Sequence, residues 1–585
     1  MSGKTKYHLR ASTAAEPLIN KWVAWSHLIP PVPASLHLKR YQLALLESYL
    51  SDPAAHTTAC KEPKLRCGRF VDIPEHRAVE VEQLVAETRT KLQDNLRLAD
   101  SVIEFQNYLA THAKGESLDP FYDRLPDTLR GYVELIYDYY NHSIVRFVES
   151  LLYESPYFKR ELQSLRILRQ KRDNARPFIM NTPRLSQPDQ IDWAVAFDDP
   201  SADEFFKLES LPKPLGYIRE LLNLKPSDDS LLLPLLTEDD KQRREEWDGS
   251  AVRVRYLGHA CVLVEHNGVS VLTDPVIGVM PSEGGIERFT YDDLPQRIDY
   301  VIITHNHHDH FSPEALLRLR HRTECLVVPR SFGVFYGDIS LKLLARKIGF
   351  KNVIELESLE SIKSPDVEII SVPFMGEHAD LPHSKTAYVV RAGGQQLLFG
   401  ADSDCLDLRM YEDLRRILGP IETVFLGMEC VGAPLSWSCG PFLPNRPERK
   451  HDQSRRYKGC DSTRALRMLQ AIGAKRIFVY AMGLEPWFEC LLGLAYTQDA
   501  PQIKEASRLL AEARSIGFEE AMLLSGRCDI YLPVRAAQMH APIGHPGIGA
   551  SAGPVIAQSG ADNSYLSREA SGTLSDDKED QFIFD

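Results

Sequence analysis

The sequence lacks membrane-length apolar runs and paired cysteines, and both absences narrow the class of protein. No stretch reaches the roughly 18 uninterrupted apolar residues of a membrane span, so we expect no membrane association. The opening residues MSGKTKYHLRASTAAEP have no apolar segment of signal-peptide length. The ten cysteines include no Cys-x-x-Cys pair. We therefore expect a cytoplasmic protein with reduced thiols.

The sequence also has fewer basic than acidic residues, and it lacks several motifs that bind cofactors or carry nucleophiles. Lys and Arg number 68 against 81 Asp and Glu, a net charge of −13, whereas nucleic-acid binding needs a net basic surface. We therefore expect no nucleic-acid partner. There is no Gly-rich dinucleotide fingerprint, no iron–sulfur cysteine spacing and no G-x-S-x-G elbow. Any redox reaction must consequently take its electrons from outside the chain.

The length and residue pattern indicate two large parts and a tail. With 585 residues, 43% hydrophobic and 25% charged, the chain resembles an ordinary globular protein of a few domains. Residues 1–245 are predicted to form a mainly helical domain, because Leu84–Ala113 and Leu129–Leu152 keep apolar residues at helical spacing. The charged segment Thr237–Gly249 marks the predicted boundary. Residues 536–585 hold seven acidic and two basic residues, a net of −5, and are predicted to be a disordered acidic tail.

Residues 250–535 carry a different pattern, with short β-branched runs separated by helical stretches. ACVLVEH and VSVLTDP are predicted strands joined by the turn Asn267-Gly268. Further predicted strands include DYVIITH, QQLLFGAD, TVFLGM and RIFVYAM, and predicted helices include SPEALLRLRH and STRALRMLQAIG. This alternation predicts a layered α/β domain.

One motif dominates the chain: the predicted strand DYVIIT runs directly into HNHHDH. Residues two apart in extended backbone project to the same side, so His305 and His307 can face one ion, and the following turn can bring Asp309 and His310 to a second. Ser312 is a predicted helix N-cap, with Pro313 at the first helical position. Four ligand-type side chains in six residues at a strand end predict a binuclear metal site.

The motif HxHxDH, together with YLGHACVLVE…VLTDP upstream and LLFGADSD downstream, resembles the metallo-β-lactamase fold superfamily. The resemblance covers roughly residues 252–533 and implies an αββα sandwich with metal ligands on loops at one edge. Asp402, at the end of QQLLFGAD, matches the aspartate that bridges two metals in that superfamily.

Two departures separate this chain from the hydrolases of the superfamily. Where they carry a third His, this sequence has VPFMGEHADLP, which offers Glu377 and His378. Where they carry a last His, the segment RIFVYAMGLEPWFE has none. A carboxylate-rich site with open positions suits iron and dioxygen better than tetrahedral zinc.

The combination of HNHHDH, GEHADL, GADSD and YAMGLEPW is most similar to the diiron β-hydroxylases of nonribosomal peptide assembly, of the chloramphenicol-biosynthesis type, which carry a large helical N-terminal domain. The resemblance implies a monooxygenase of antibiotic biosynthesis that uses O₂ to hydroxylate the β-carbon of an amino acid. It also implies that the amino acid is a thioester on an acidic peptidyl carrier protein, that an external reductase supplies electrons, and that the enzyme can form a homodimer.

The same resemblance implies a ligand set for two iron ions: His305, His307 and Glu377 on one, Asp309 and His310 on the other, and Asp402 bridging. Glu377 is also the predicted catalytic residue. Neighbours on an extended segment point to opposite faces, so only one of Glu377 and His378 should reach the metals, and His378 is the alternative ligand. His308 should point away, while His259 and Asp274 are expected either to orient ligands or to make ordinary structural hydrogen bonds.

Two further hypotheses concern the substrate. The stretch Lys159–Arg176 holds seven basic and two acidic residues, a net of +5, and is a candidate docking face for the acidic carrier protein. The alternative is a solvated face or an internal partner for acidic segments. Three residues that stand where the last His would be, Glu485, Trp487 and Phe488, are expected either to shape the substrate end of the site or to pack in the core.

Two other functions compete with the hydroxylase. A binuclear hydrolase with two zinc ions would act on phosphodiesters, lactones or thioesters through a metal-bridging hydroxide. A non-catalytic metal-binding interaction protein is the third possibility. Iron content and oxygen consumption distinguish the first from the second.

Overall fold

The computed structural model describes residues 5–239, 247, 249, 251–333, 335–376, 384–493, 496–535 and 548–549. Glu377 and His378 lie outside these residues, as does nearly all of the predicted tail. Among the described residues, none of the helices has the length and apolarity that crossing a membrane would require. All ten cysteines are unpaired thiols.

The N-terminal part combines helices with short strands. Its helices are α1 (Pro31–His37), α2 (Leu43–Ser51), α3 (Pro53–Lys61), α4 (Ala78–Lys91), α5 (Gln93–His112), α6 (Asp119–Tyr122), α7 (Glu149–Leu152), α8 (Pro200–Phe206), α9 (Leu215–Leu221) and α10 (Asp229–Leu232). Its strands are β1 (Lys6–Leu9), β2 (Thr13–Ile19), β3 (Trp22–Val23), β4 (Val133–Tyr137), β5 (Ser143–Phe147), β6 (Gln163–Arg169), β7 (Ile191–Trp193), β8 (Lys213–Pro214) and β9 (Leu236–Thr237). The strands form the sheets β3-β2-β6-β7 and β8-β1-β9 and the hairpin β4-β5.

The long helix predicted at Leu129–Leu152 is wrong. The segment forms the β4–β5 hairpin, in which Leu135 pairs with Val145 and the turn is closed by the Asn141 N–H donating to Asp138 O at 3.0 Å. Apolar residues that satisfied a helical spacing also satisfy an alternation of two, and the left-handed Asn141 (φ 60°) lies in the turn between the two strands. The other predicted segment, Leu84–Ala113, is helical as expected, although Leu92 divides it into α4 and α5.

The second part is a sandwich of two large sheets with helices outside. Its strands are β10 (Ala251–Gly258), β11 (Cys261–His266), β12 (Val269–Thr273), β13 (Ile298–Ile302), β14 (Thr323–Pro329), β15 (Val353–Leu356), β16 (Ser361–Lys363), β17 (Val367–Val372), β18 (Ala387–Ala392), β19 (Gln395–Phe399), β20 (Thr423–Gly427), β21 (Arg476–Tyr480), β22 (Glu520–Leu523), β23 (Cys528–Pro533) and β24 (Ile548–Gly549). Its helices are α11 (Pro313–Leu319), α12 (Leu341–Lys347), α13 (Leu408–Leu418), α14 (Arg449–Ser454), α15 (Ser462–Ile472), α16 (Glu489–Leu492) and α17 (Pro501–Ser515). The two sheets have the orders β15-β14-β13-β12-β11-β10-β23 and β22-β21-β20-β19-β18-β17-β16-β24.

Three apolar layers hold the sandwich together. Val262 and Tyr388 are among the fully buried residues between the two sheets. On the outer face of the second sheet, α13, α15 and α17 bury residues such as Leu414 and Leu469. The outer face of the first sheet shares one core with α11, α12 and the N-terminal part. The αββα sandwich and the predicted Asn267-Gly268 turn (φ 46° and 75°) are therefore confirmed. The domain boundaries stay a prediction.

Candidate metal centre

Five of the predicted ligands, His305, His307, Asp309, His310 and Asp402, gather where parallel strands of both sheets end, while Glu377 and His378 lie outside the described residues. Strands β12, β13 and β14 run parallel in one sheet, and β19, β20 and β21 run parallel in the other. The HNHHDH loop follows β13, and Asp402 follows β19. Carboxyl ends of parallel strands are the usual location of ligand sites in α/β folds, and here the ends of both sheets meet around one cavity.

Backbone contacts position the HNHHDH loop. The N–H groups of His310 and Phe311 donate to His307 O at 3.1 and 2.8 Å, which closes a tight turn. Ser312 caps α11 by accepting from Ala315 N, with Pro313 at the first helical position, as predicted. From the N-terminal part, the Ser26 hydroxyl donates to Asn306 O. The loop is thus held by its own turn, by the following helix and by the N-terminal part.

Three of the predicted ligands form one cluster, here called cluster A: His305, His307 and Asp402. Their ligand atoms lie within 4.8 Å of one another. His305 Nε2 lies 2.9 Å from His307 Nδ1 and 3.5 Å from Asp402 Oδ2. Two imidazoles and a carboxylate in this arrangement can hold one metal ion.

A second cluster, here called cluster B, contains His259, Asp309 and His310 within the same distance limit. His259 Nε2 lies 3.1 Å from Asp309 Oδ2. The sequence analysis expected His259 to orient ligands or to be structural, whereas its ring reaches the cluster itself. The signal was present, because His259 directly follows strand β10 in YLGHA, but only the fold brings that strand end to Asp309.

Asp402 lies between the clusters. Its Oδ2 is 3.5 Å from His305 Nε2 in cluster A and 3.4 Å from His310 Nε2 in cluster B. A single carboxylate at this position can contact two ions at once. This geometry suits the bridging role that the sequence resemblance implied for Asp402.

Asp274 and Thr304 organise the imidazoles from behind. Asp274 accepts from Thr304 N at 2.7 Å and from the Thr304 hydroxyl at 2.6 Å, and its Oδ2 lies 2.9 Å from His310 Nδ1. The Thr304 hydroxyl also contacts His305 Nδ1 at 3.0 Å. With both Nδ1 atoms occupied, the Nε2 atoms are left for the clusters. Asp274 therefore orients His310, one of the two roles expected from sequence.

Burial and neighbouring charges shift the pKa values of residues in both clusters. Burial opposes charge on Asp309 and Asp402, but neighbouring imidazoles outweigh it and hold the pKa of each carboxyl well below its usual range. Burial and the adjacent His310 and His307 lower the pKa of His305, which leaves a neutral imidazole. For His310, burial is outweighed by three carboxylates, Asp402 first, and its pKa is raised. A metal ion would take the place of that proton.

The arrangement of the ring nitrogens and carboxylates is more typical of a metal site than of a hydrogen-bonded network in a protein core. The buried Nε2 atoms of His259 and His310 make no well-aligned hydrogen bond with a described residue, although carboxylate oxygens lie 3.1 and 3.4 Å away. Buried polar atoms in proteins are normally paired. Ring nitrogens and carboxylates that converge without pairing are the arrangement expected around bound cations.

Strained backbone surrounds the centre. His259, Asp274, Ala401 and Ala481 each follow a strand and have positive φ, at 50°, 31°, 45° and 54°. Each such non-glycine residue costs on the order of 1 kcal/mol and persists only where its surroundings impose it. The Ala481 N–H donates to His259 O at 3.0 Å, which ties two of these positions together.

His308 belongs to neither cluster and is a packing residue, as predicted, although its Nδ1 lies 3.7 Å from Asp309 Oδ1. Its ring is buried, and its Nε2 lies 3.0 Å from Leu491 O. Its ring centroid lies 6.2 Å from that of Trp25 and 5.9 Å from that of Trp437. His308 thus packs between Trp25 of the N-terminal part and Trp437 of the second part.

A cavity of about 450 Å³ opens beside the clusters. His307, Asp309 and Asp402 form part of its wall, and Trp437, Tyr457 and Leu492 supply apolar surface. The N-terminal part also contributes to the wall, through Trp25, His27, Lys64, Cys67 and Gly68. Sequence reasoning missed these five residues. They lie more than 200 positions before HNHHDH in the chain, and no sequence pattern indicates that they line the same cavity.

Glu485, Trp487 and Phe488 do not line this cavity. Glu485 accepts hydrogen bonds from the Tyr256 hydroxyl and from His259 N, so it holds the backbone of cluster B. Phe488 packs under Gly258, where a Cβ would lie 2.7 Å from the Phe488 ring. Trp487 and Phe488 are buried with Val276. The core-packing alternative holds for both aromatic residues, and the expectation that the three shape the substrate end is wrong.

The docking hypothesis for Lys159–Arg176 is contradicted by the structure. Arg166 is 2% exposed and binds Asp192 through two nitrogens, at 2.7 and 2.8 Å. Arg176 binds Glu314 at 2.9 Å, and Lys171 binds Asp189 at 3.0 Å. The stretch is an inner strand, β6, with its flanks, and most of its positive charge is neutralised within the chain.

Two family models match the chain. Residues 8–240 match the diiron non-heme beta-hydroxylase N-terminal domain, and residues 253–417 match the beta-lactamase superfamily domain.

Characterised relatives match over nearly the whole length. The chain is 34% identical over 528 residues to the 4-amino-L-phenylalanyl-[CmlP-peptidyl-carrier-protein] 3-hydroxylase of Streptomyces venezuelae, covering 88% of this chain and 97% of the relative. The crystal structure of CmlA, a diiron beta-hydroxylase from the same species, superposes with a TM-score of 0.84 at 33% identity, covering 90% of this chain and all of CmlA. A CmlA variant with a glutamate-to-aspartate substitution gives a TM-score of 0.82.

Proposed function

The chain belongs to the diiron non-heme β-hydroxylases of the metallo-β-lactamase fold, and we propose that it hydroxylates the β-carbon of an amino acid carried as a thioester by a peptidyl carrier protein. The observation that carries the proposal is the pair of clusters around Asp402 at the wall of one cavity. The carrier-bound substrate is proposed because the Streptomyces relative acts on such a substrate.

We propose that cluster A, completed by Glu377, holds one iron and that cluster B holds the other, with Asp402 bridging. His378 is the alternative to Glu377, and both lie outside the described residues. Mixed imidazole and carboxylate donors suit iron. A bound iron pair would supply the activation of O₂ that insertion into a C–H bond requires.

The chain itself orients the ligand side chains and encloses the cavity in which the substrate would react. Asp274 and Thr304 hold the imidazoles of His305 and His310 from behind, and Glu485 holds the backbone at His259. Trp25 and Trp437 pack on His308 and form one side of the cavity. These contacts keep the ligands in place and limit the access of water to the reacting groups.

Dioxygen and two electrons are expected to come from outside the chain. The sequence carries no dinucleotide fingerprint and no iron–sulfur cysteine spacing. We therefore propose an external reductase as the electron donor.

We propose that the carrier protein approaches the cavity over a basic surface at its rim, here called the rim surface. This surface comprises Lys61, Lys64, Arg446, Arg449 and Lys450, which are all exposed and make no ion pair with any described residue. Lys64 lines the cavity itself. The two segments that carry these residues meet, because Trp437 Nε1 donates to Cys67 O at 3.1 Å and Asp452 of α14 accepts from Ser436 N at 2.8 Å. An acidic carrier domain complements this charge.

The hydrolase alternative lacks the last His ligand at the place where the sequence comparison expects it. After β21, where the hydrolases carry their last His, Ala481, Met482 and Gly483 line the cavity.

The proposal is tested with the purified, iron-loaded protein, carrier domains loaded with aromatic or aliphatic L-amino acids, O₂ and a chemical reductant. We expect about two irons per chain, consumption of O₂ and a product heavier by one oxygen atom on mass spectrometry. Two zinc ions per chain with hydrolysis of a generic ester or phosphodiester would contradict the proposal.

A further inference from the structure

Both acidic and basic side chains line the cavity beside the clusters. Among the described residues, its acidic lining residues are Asp309, Asp402 and Glu429, and its lysine and arginine residues are Lys64, Arg456 and Lys458. Asp309 and Asp402 belong to the clusters. Glu429 is therefore the one acidic side chain of the described wall that belongs to neither cluster.

Glu429 is held beside the metal centre. It follows β20, which runs parallel to β19, the strand that leads to Asp402. Gly459 joins the two, because its N–H donates to Glu429 O at 2.8 Å and its Cα approaches the backbone of Asp402 so closely that a Cβ would lie 3.0 Å from Asp402 O. The carboxylate of Glu429 thus lies on the cavity wall next to the bridging residue.

Hydrogen bonds hold the Glu429 side chain in place, but no basic side chain among the described residues pairs with it. Glu429 accepts a hydrogen bond from the Tyr496 hydroxyl and one from Gln502 Nε2 at 3.1 Å, and no lysine or arginine among the described residues forms an ion pair with it. Burial raises its pKa to about 7. A carboxylate in this setting gains from a cationic partner that enters the cavity.

We propose that Glu429 is a specificity residue that binds the α-ammonium group of the aminoacyl substrate. The inference rests on the proposed function, in which the β-carbon must lie next to the clusters. The α-amino group is attached to the neighbouring carbon, so its binding residue must also lie close to the clusters, as Glu429 does. The enzyme then distinguishes aminoacyl thioesters from acyl thioesters that lack the amine.

The test compares two substrates that differ only in the α-amino group. One carrier domain accepted by the parent enzyme is loaded with its L-amino acid or with the corresponding des-amino acid. We expect the parent to prefer the aminoacyl form by on the order of 30-fold in kcat/KM, the value of a buried charge-assisted hydrogen bond. In Glu429→Gln this preference should fall to near one, through a higher KM for the aminoacyl form.

Two controls separate specificity from folding. Glu412→Gln makes the same charge change on the exposed face of α13 and should keep the parental preference. Glu429→Asp keeps the charge and should recover part of the preference, with iron content measured in every variant. If Glu429→Gln binds iron normally and keeps the parental preference, the inference is wrong. If the parent yields no product with any loaded carrier domain, the proposed function itself fails and the inference falls with it.

Discussion

Asp402 connects the two clusters because of where its strand ends. Strand β19 lies beside β18 and β20 in the second sheet, while the HNHHDH loop follows β13 of the first. Asp402 reaches the first sheet's imidazoles only because both sheets end at the same edge. Its side chain lies 3.5 and 3.4 Å from rings of different clusters, and the proposed bridging role rests on these two distances.

At the residue scale, the choice between Glu377 and His378 is decided by iron content. We expect Glu377→Ala to reduce bound iron from about two to about one per chain, because cluster A would lose a carboxylate ligand. His378→Ala is the matched control and should keep both irons. The measurement is iron per chain after anaerobic loading and desalting. The opposite pattern would identify His378 as the ligand.

At the element scale, helix α11 directly follows the HNHHDH loop, and Glu209 anchors this helix to the N-terminal part. This buried carboxylate binds Arg318 and Arg322, and Arg318 also donates to Thr13 O at 2.8 Å. Burial alone would raise the pKa of Glu209, but the two arginines outweigh it and lower the pKa to about 2. The ionised form is therefore favoured in the folded protein.

This anchor predicts a pH-dependent stability difference. Replacing Glu209 by Gln leaves two buried arginines without their partner and should lower the free energy of unfolding at pH 7 by about 3–5 kcal/mol. Because the folded pKa is depressed from its ordinary value of 4.5, the stabilisation is complete above that pH and is lost as pH falls towards about 2. Urea unfolding at several pH values should show the difference between parent and variant narrowing over this window.

Glu204→Gln provides the control for that experiment. Glu204 pairs with Lys207 at 2.7 Å, and both side chains are more than a third exposed. Its replacement should change stability by less than about 1 kcal/mol. A difference between the Glu209→Gln variant and the parent that does not change between pH 7 and pH 3 would contradict the pKa assignment.

At the scale of the whole molecule, charge is distributed unevenly, although the net value is −13. The proposed rim surface consists of exposed bases, of which Lys64 lines the cavity, whereas the bases of Lys159–Arg176 are mostly paired with acids. From the net charge we expect no nucleic-acid partner, but the net charge does not indicate where an acidic protein would bind.

Charge reversal distinguishes the two surfaces. We expect Arg446, Arg449 and Lys450 changed together to Glu to raise KM for the loaded carrier about tenfold at low salt, with kcat and iron content unchanged. Reversal of Arg169, Lys171 and Arg172 is the matched control and should leave KM unchanged. The expected increase should shrink at high salt because screening weakens charge attraction. An unchanged KM in the first variant, or an increase in the second, would reject the rim surface.

Prediction from sequence succeeded where structure is local. The turn Asn267-Gly268, the cap Ser312 and the strand leading to HNHHDH each depend on residues within a few positions of one another. The long helix at Leu129–Leu152 failed for the same local reason: its apolar spacing fits a helix and a hairpin equally, and only packing selects the hairpin.

By itself, the sequence determined the sandwich domain, the ligand-rich loop at the end of β13 and the candidacy of Asp402. The tertiary structure alone decided that His259 joins Asp309, that the N-terminal part supplies a wall of the cavity and that Glu429 lies beside the centre. Such contacts join residues tens to hundreds of positions apart. They arise from how the two sheets and the N-terminal part bury their shared apolar surfaces, and no spacing along the chain records that packing.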